Sequence, residues 1–231
     1  NRDETVRNTL QGIAHMDIKF LKDFTFSIKA DLGLRNYETR TYGSAVIGDS
    51  KGNNGRGGRT VYRYKNYTFQ QLLNWNHAFG DHTVGVLLGH ENYANQYDYL
   101  SGSKASEVFP NKINLSNYKE MVSLTSYENN YRTESYLSRV RYNYKEKYNL
   151  EASFRRDGSS RFHKDSRWGN FGSVGANWMV SEEEFMKKYN WINSLKLRAN
   201  WGIVGNDAGS GYYGYMGLYA NSQNANKGAY Y

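Results

Sequence analysis

Long stretches of strict two-residue alternation are the feature that most constrains how this chain folds. From Leu10 to Phe20, apolar or small side chains occupy every even position and polar residues occupy most odd ones. The pattern restarts at Phe24 and runs to Leu34, after the short segment Leu21-Lys22-Asp23. Because successive side chains of an extended strand point to opposite faces, these stretches predict a long antiparallel hairpin with one apolar and one polar face.

The same design recurs along the chain and predicts about eight strands in all. The first pair is followed by three more: 60–79 with 82–99, 131–144 with 148–156, and 168–180 with 195–204.

The predicted links between these strands alternate in length. Short turns near residues 22, 80 and 146 lie at one end of the sheet, and longer polar links, 43–59, 100–130 and 157–167, lie at the other. The exception is 181–194, where Ser181 precedes three glutamates and predicts a capped helix of one or two turns. Phe185 and Trp191 are expected to pack back from this helix onto the sheet.

Composition supports a β-rich fold and excludes some classes of protein. The 231 residues include 22 tyrosines, one proline and no cysteine. Cysteine-ligated zinc and a disulfide scaffold are therefore excluded. The net charge of +8 permits nucleic acid, anionic lipid or acidic ligands. No apolar run approaches the roughly 20 residues of a membrane-spanning helix, and the first residues do not resemble a signal peptide. The chain is expected to be cytosolic or a piece of a larger protein.

Strands of alternating polarity, with short turns at one end and long loops at the other, are typical of an outer-membrane β-barrel. A soluble sandwich also alternates, so alternation alone does not decide between them. Trp168 and Trp178 share a face and are ten residues apart, which corresponds to about 25 Å along a tilted strand, the height of a lipid band. These two residues and Trp201 are predicted to be aromatic side chains at the lipid interface.

Two segments carry a family resemblance. "YNYKEKYNLEASFRRDGSSRFHKDSRWGNFGSVGANWMVSEEEFM", residues 142–186, followed by "WINSLKLRANWGIVGN", residues 191–206, resembles the barrel of the SusC/RagA family of TonB-dependent outer-membrane transporters of Bacteroidetes. "NYTFQQLLNWNHAFGDHTVGVLLGHE", residues 66–91, resembles the preceding hairpin of the same barrel.

The resemblance implies a protein of the bacterial outer membrane that imports an oligosaccharide or a peptide through a plugged barrel of about 22 strands. A SusD-like surface lipoprotein and TonB, which acts through the plug, are the implied partners, together with outer-membrane lipid. Residues 1–231 are expected to form part of the barrel domain, without plug, TonB box, signal peptide or closing strand. An all-β, antiparallel up-and-down segment, open and curved when alone, is the expected fold.

Two groups of residues are candidate sites. The first lies at the predicted hairpin on the extracellular rim, where Asp157 and Gly158 are expected to shape the turn and the arginines to form ion pairs or contact ligand. The second shares the polar face and is expected to face the lumen. The rim group is Arg155, Arg156, Asp157, Gly158 and Arg161, and the lumen group is Arg139, Arg141, Lys196 and Arg198.

No pattern indicates a catalytic site, a metal or a cofactor. His82 and His90 share a face but are separated by about 26 Å on an extended strand, too far for one ion. The adjacent Glu182, Glu183 and Glu184 fit a helix start better than acid–base chemistry. An enzyme is therefore not expected.

Two other classes of protein remain as alternatives. "NNGRGGRTVYRYKNY", residues 53–67, mixes arginine, glycine and tyrosine as binders of single-stranded nucleic acid do. However, basic and acidic residues, 30 against 22, mix along the chain, which disfavours a nucleic-acid partner. A secreted carbohydrate-binding sandwich would use exposed Trp and Tyr to stack on sugars, but its strands would be shorter than the ten or more residues predicted here.

Overall fold

The computed structural model describes residues 2–189 and 191–217, which form eight strands and four short 3-10 helices. The strands are β1 (Arg2–Phe20), β2 (Phe24–Gly43), β3 (Arg56–Phe79), β4 (His82–Glu107), β5 (Tyr118–Tyr144), β6 (Tyr148–Ser159), β7 (Trp168–Met179) and β8 (Lys196–Ile203). The 3-10 helices are Lys51–Asn53, Leu115–Asn117, Val180–Glu182 and Glu184–Met186.

All eight strands belong to one sheet and are hydrogen-bonded in chain order, with β1 and β8 at its edges. The last four strands pair antiparallel: Tyr144 lies opposite Tyr148, which lies opposite Trp178, and Trp178 in turn lies opposite Leu197. The predicted all-β, up-and-down architecture of about eight strands is therefore confirmed. No helix in residues 2–189 or 191–217 is long and apolar enough to span a membrane.

The chain divides into two compact units. The first combines Asn1–His15, Lys29–Phe69 and Tyr93–Asn130, and the second combines Met16–Ile28, Gln70–Asn92 and Tyr131–Tyr231. Each unit is described separately below.

The longer links are shorter than predicted because the strands on both sides extend into them. The prediction of a link over 100–130 is wrong, since β4 continues to Glu107 and β5 begins at Tyr118. Hydroxyl pairs join the added segments, with 2.8 Å between the Oγ atoms of Ser103 and Ser123. These extensions carry polar residues on both faces, so the apolar alternation used to predict strands does not reveal them.

The helix predicted after β7 is also wrong in detail. Residues 180–186 form two 3-10 turns, and Ser181 lies inside the first of them, where it does not act as the cap. The ring of Phe185 contacts Trp178 edge-on at a centroid distance of 6.5 Å, as expected. Trp191, in contrast, is 80% exposed and does not pack back onto the sheet.

The described residues have very little apolar core. The buried apolar residues among them are Ala94, Ala105, Tyr118 and Val180. Large apolar side chains on the even face of β1 and β2 are instead exposed, including Leu10 at 65% and Leu32 at 52%. The sheet therefore presents its apolar face outward, where globular proteins bury such a face against a second layer.

Each apolar face covers only part of its strand. On β2 the even positions are apolar from Phe24 to Leu34 and polar from Asn36 to Arg40. On β5 the even positions carry a Ser, a Val and three Tyr from Tyr144 back to Tyr136, and then become charged at Glu134 and Arg132. In both strands the apolar segment starts at the short turn and extends about ten residues, or roughly 25 Å for a tilted strand.

We predict that the 231-residue chain stays in solution only with detergent or lipid, because its exposed apolar face has no protein layer to cover it. Size-exclusion chromatography after refolding, with and without detergent, measures this directly. Recovery of a monomer that unfolds cooperatively in plain buffer would contradict the prediction.

Candidate functional site

The registers of β5 to β8 divide the second unit into an inner and an outer face. We define the inner face as the one that carries Arg155, and the outer face as the one that carries Val174. Inner-face residues occupy odd positions in β5, β6 and β7 and even positions in β8. All four residues of the predicted lumen group lie on the inner face: Arg139, Arg141, Lys196 and Arg198.

Arg155 is the centre of a polar cluster on the inner face. Its Nε donates to Asp157 Oδ1 at 2.6 Å, and its Nη2 donates to Ser135 Oγ at 2.9 Å and to Glu91 Oε1 at 3.3 Å. Asp157 is two residues along the same strand and therefore shares the face of Arg155. We call these four residues the Arg155 cluster. It joins three neighbouring strands, β4, β5 and β6.

The rim residues do not form a turn as predicted. Asp157 and Gly158 lie inside β6, which continues to Ser159, and the connection to β7 is 160–167. Arg156 points to the outer face, and its guanidinium carbon lies 5.3 Å from the ring centroid of Trp168. Gly158 lies opposite Trp168 in the register, and a Cβ at that position would approach three atoms of the indole to 3.1 Å. The glycine therefore lets the Trp168 ring pack flat on the strand.

A second cluster joins the segment after β8 to the middle of β5 and the end of β6. Asp207 Oδ2 accepts a hydrogen bond from Tyr131 Oη at 2.8 Å and from Ser159 Oγ at 2.6 Å. Arg161 donates to the carbonyl oxygens of Asp207 and Ser210 at 2.9 and 3.1 Å. Its guanidinium also lies 4.7 Å from the ring centroid of Tyr131 and 5.0 Å from that of Tyr212. We call these residues the Asp207 cluster.

The Asp207 carboxylate is stabilised in its charged form. Partial burial raises its pKa, but the hydrogen bonds from Ser159 and Tyr131 and the nearby charge of Arg161 lower it more, so that the net pKa lies below the ordinary aspartate value. The cluster is therefore most stable when this carboxylate is ionised.

A depression near the short turns gathers most of the lumen group. Arg141, Lys196 and Arg198 line it together with Glu151. An asparagine ladder crosses its floor: Asn143 Nδ2 donates to Asn149 Oδ1, and Asn149 Nδ2 donates to Asn177 Oδ1 at 2.9 Å. Arg139 lies two residues from Arg141 on the same face of β5. The depression is thus lined by three cations and several neutral amides, with two carboxylates, Glu146 and Glu151.

Three histidines contact other polar side chains, each at a separate place in the sheet. His77 Nδ1 lies 2.7 Å from Asp23 Oδ2, His82 Nδ1 lies 2.7 Å from Tyr142 Oη, and His90 contacts Glu134 and Gln71. Within the described part of the chain, no three His, Cys, Asp or Glu side chains group as metal ligands.

The three tryptophans predicted at the lipid interface all lie on the outer face of the second unit. Trp168 begins β7 and Trp178 is its penultimate residue. Trp201 lies opposite Val174, between the levels of those two residues. Sequence reasoning missed Glu91, Ser135 and Asp207, because their partners are 20 to 76 residues away along the chain.

An antiparallel up-and-down sheet with one apolar and one polar face is the architecture of a membrane β-barrel wall. Comparison with known proteins agrees with this class. The chain is 34% identical over 200 residues to a TonB-dependent receptor of Formosa agariphila, covering 84% of the chain and 19% of that protein. It is 29% identical over 220 residues to the TonB-dependent receptor SusC of Bacteroides thetaiotaomicron, covering 94% of the chain and 21% of SusC. No protein-family model matches the chain.

Among solved structures, the RagAB peptide importer in its closed-closed state superposes with a TM-score of 0.82 at 24% identity, over 94% of this chain and 24% of that one. The chain therefore belongs to the SusC/RagA-type TonB-dependent receptors of the bacterial outer membrane. It spans about a fifth of the length of these curated relatives.

We predict that Gly158→Ala lowers the free energy of unfolding of the folded transporter by about 1 kcal/mol, because the new methyl group displaces the Trp168 ring. Urea unfolding in lipid vesicles measures the change. Gly102→Ala is the matched control, since a Cβ there has no contact closer than 3.5 Å. Equal losses in both variants would contradict the contact with Trp168.

We also predict that acid loosens the Asp207 cluster. Because the pKa of Asp207 is depressed in the folded state, its contribution to stability is complete above the ordinary value of about 3.9 and is lost as the pH falls through the lower folded value. A fluorophore on Gly209→Cys, in a chain that has no native cysteine, reports this as reduced anisotropy below roughly pH 4.

In that experiment Asp207→Asn should make the label mobile at every pH, while tryptophan fluorescence monitors the barrel for global unfolding. A mobility that does not change with pH, or changes only near neutrality, would be inconsistent with the role of Asp207.

Proposed function

We propose that this chain forms part of the barrel wall of a transporter that imports a bulky nutrient, an oligosaccharide or a peptide, across the outer membrane. The single observation that carries the proposal is the two-faced sheet: an exposed apolar outer face and an inner face lined by charges and amides. A lipid-facing exterior and a water-filled interior are the two environments that such faces require.

On this proposal the outer face contacts lipid over the apolar part of each strand. Trp168 and Trp178 mark the two ends of the lipid band, since they are ten residues apart on one face of β7. Trp201 lies within the band rather than at its edge, because it lies opposite Val174. The short turns then face the periplasm and the longer loops face the exterior.

The Arg155 cluster has a structural role at the extracellular rim. Its Nε and Nη2 already have acceptors, and both carboxylates, Asp157 and Glu91, are engaged by this one guanidinium. The two carboxylates hold the guanidinium against the strands, which favours a structural role over ligand contact. Arg139, Arg141, Lys196 and Arg198 are less saturated and face the lumen, where they influence which substrates pass.

We further propose that the transporter works with a SusD-like surface lipoprotein and draws energy from TonB through a plug domain. This part rests on the relationship to SusC, not on contacts within the sheet. The curated relatives are receptors, and we propose that this chain likewise has no catalytic role, no cofactor and no metal.

The two other classes of protein fit the geometry less well. A carbohydrate-binding sandwich packs two sheets face to face, whereas the described strands form one sheet. Nucleic-acid binding requires free arginines in 53–67, but Arg59 lies 3.0 Å from Glu38 and Arg63 lies 3.7 Å from Asp98. Two of the three arginines in this segment are thus paired with acids.

Uptake by intact cells tests the proposal. Fluorescent oligosaccharides and fluorescent peptides are offered to the cells in separate assays. We expect uptake of one of these two ligand classes to disappear when the gene containing this chain is deleted. Uptake should also stop when a protonophore collapses the proton gradient, because TonB depends on it. The proposal fails if uptake of both ligand classes is unchanged by deletion.

A further inference from the structure

Six tyrosines of the first unit form one continuous aromatic surface. Ring centroids of Tyr64 and Tyr97 are 4.8 Å apart, those of Tyr62 and Tyr99 are 5.1 Å apart, and those of Tyr99 and Tyr127 are 4.8 Å apart. The sixth ring, Tyr37, meets Tyr62 and Tyr64 edge-on. We call this surface the tyrosine platform; its members are Tyr37, Tyr62, Tyr64, Tyr97, Tyr99 and Tyr127.

The platform occupies the polar face of the first unit. Tyr37 is an odd position of β2, opposite in direction to the apolar even positions Leu32 and Leu34. Pairs two residues apart, such as Tyr62 and Tyr64 or Tyr97 and Tyr99, share that face on β3 and β4. Tyrosine rings that contacted lipid would lie on the same face as Leu32 and Leu34. The platform lies on the opposite face, so its rings have a role other than contact with lipid.

On β2 and β3 the platform also lies beyond the apolar part of the strand. Tyr37 follows Leu34, the last apolar residue of the even face of β2. On β3, Tyr62 and Tyr64 precede Tyr67 and Phe69, where the exposed apolar face begins. On the proposed orientation, the platform faces the water-filled entrance on the extracellular side.

The surroundings of the platform are neutral hydroxyl groups and cations. Thr60 and Ser101 hydroxyls are 2.9 Å apart beside the rings, and the Arg7 guanidinium lies 4.5 Å from the centroid of Tyr37. The acidic residues nearest to the platform on β2 and β4 lie on the opposite face of the sheet, where they are already paired with arginines. Glu38 contacts Arg40 and Arg59, and Asp98 contacts Arg63.

We propose that the tyrosine platform is a binding site for an oligosaccharide, and that the substrate of this transporter is therefore a glycan. This inference rests on the proposed transport function. Tyrosine offers a rigid flat surface with a polar end at a low cost in side-chain entropy, which suits a sugar ring with one apolar face and a rim of hydroxyls. Contacts among the rings hold them in place before ligand arrives, which favours binding.

A peptide fits this surface less well. Peptides bring ammonium and carboxylate groups that need partners of opposite charge, whereas the acids nearest the rings along β2 and β4, Glu38 and Asp98, lie on the opposite face and are paired with arginines. The phenol and hydroxyl groups can donate and accept hydrogen bonds, as sugar hydroxyls require.

The test uses the full-length transporter in detergent and isothermal titration calorimetry. The probes are size-fractionated oligosaccharide pools from starch, xylan, mannan, levan and pectin, and a pool of peptides from a tryptic digest of casein. We expect a glycan pool to bind. The double variant Tyr97→Ala/Tyr99→Ala should weaken that binding roughly tenfold or more, because it removes two stacking rings.

Two control variants separate the platform from general effects. Tyr97→Phe/Tyr99→Phe keeps the rings and should retain most of the affinity. Tyr67→Ala removes an exposed ring from the opposite face of β3 and should bind as the wild type does. The two double variants should also unfold at similar temperatures, so that lost binding is not lost structure.

The outcomes distinguish the inference from the proposed function. Binding of the peptide pool alone, of no glycan pool, or of glycan with equal affinity by wild type and the Ala variant would overturn the platform as a glycan site. In each of these cases the proposed transport function still stands if deletion abolishes uptake in cells. If deletion leaves uptake of both ligand classes unchanged, the transport function itself is wrong.

Discussion

The requirement that every backbone N–H and C=O be paired within the protein is the constraint on which this structure depends. In the hydrocarbon region of a membrane no water is available to satisfy these groups. Strands that pair with both neighbours in chain order meet the requirement wherever they are paired, and β1 and β8 form the edges of the described sheet. Once the strands are paired, alternation sends successive side chains to opposite faces, so a single sheet separates lipid from an aqueous interior without a second layer.

Polar side chains then concentrate on the inner face, at both ends of the strands. Near the short turns, the inner face carries Arg141, Arg198 and the asparagine ladder. Near the long loops, the Arg155 and Asp207 clusters join strands and loop segments that are distant in the chain. The strands of the first unit extend past the apolar band, and there the tyrosine platform occupies the polar face. On the proposed function, residues that hold the strands together and residues that recognise substrate are therefore different.

Much of this arrangement is predictable from the sequence, and the physical reason is the strength of the two-residue pattern. The hairpin of β1 and β2 follows directly from the apolar even positions between Leu10 and Leu34, and the face of Trp168 and Trp178 follows from their spacing. The extension of β4 to Glu107 does not, because polar residues on both faces hide the strand. The cluster around Asp207 is equally hidden, since its contact with Tyr131 joins residues 76 apart and depends on where the segment after β8 folds back.

The central claim is that one face of the sheet meets lipid and the other meets water, and adjacent residues of β7 test it most directly. Residues 1–231 contain no cysteine, so Ser173→Cys and Val174→Cys can be labelled singly in a transporter from which any cysteine outside these residues has been removed, embedded in vesicles. A water-soluble maleimide should label Ser173→Cys readily and Val174→Cys poorly, while a fluorophore on Val174→Cys should be quenched by brominated lipid tails. Equal labelling at both positions, or the reverse order, would contradict the assignment of the two faces.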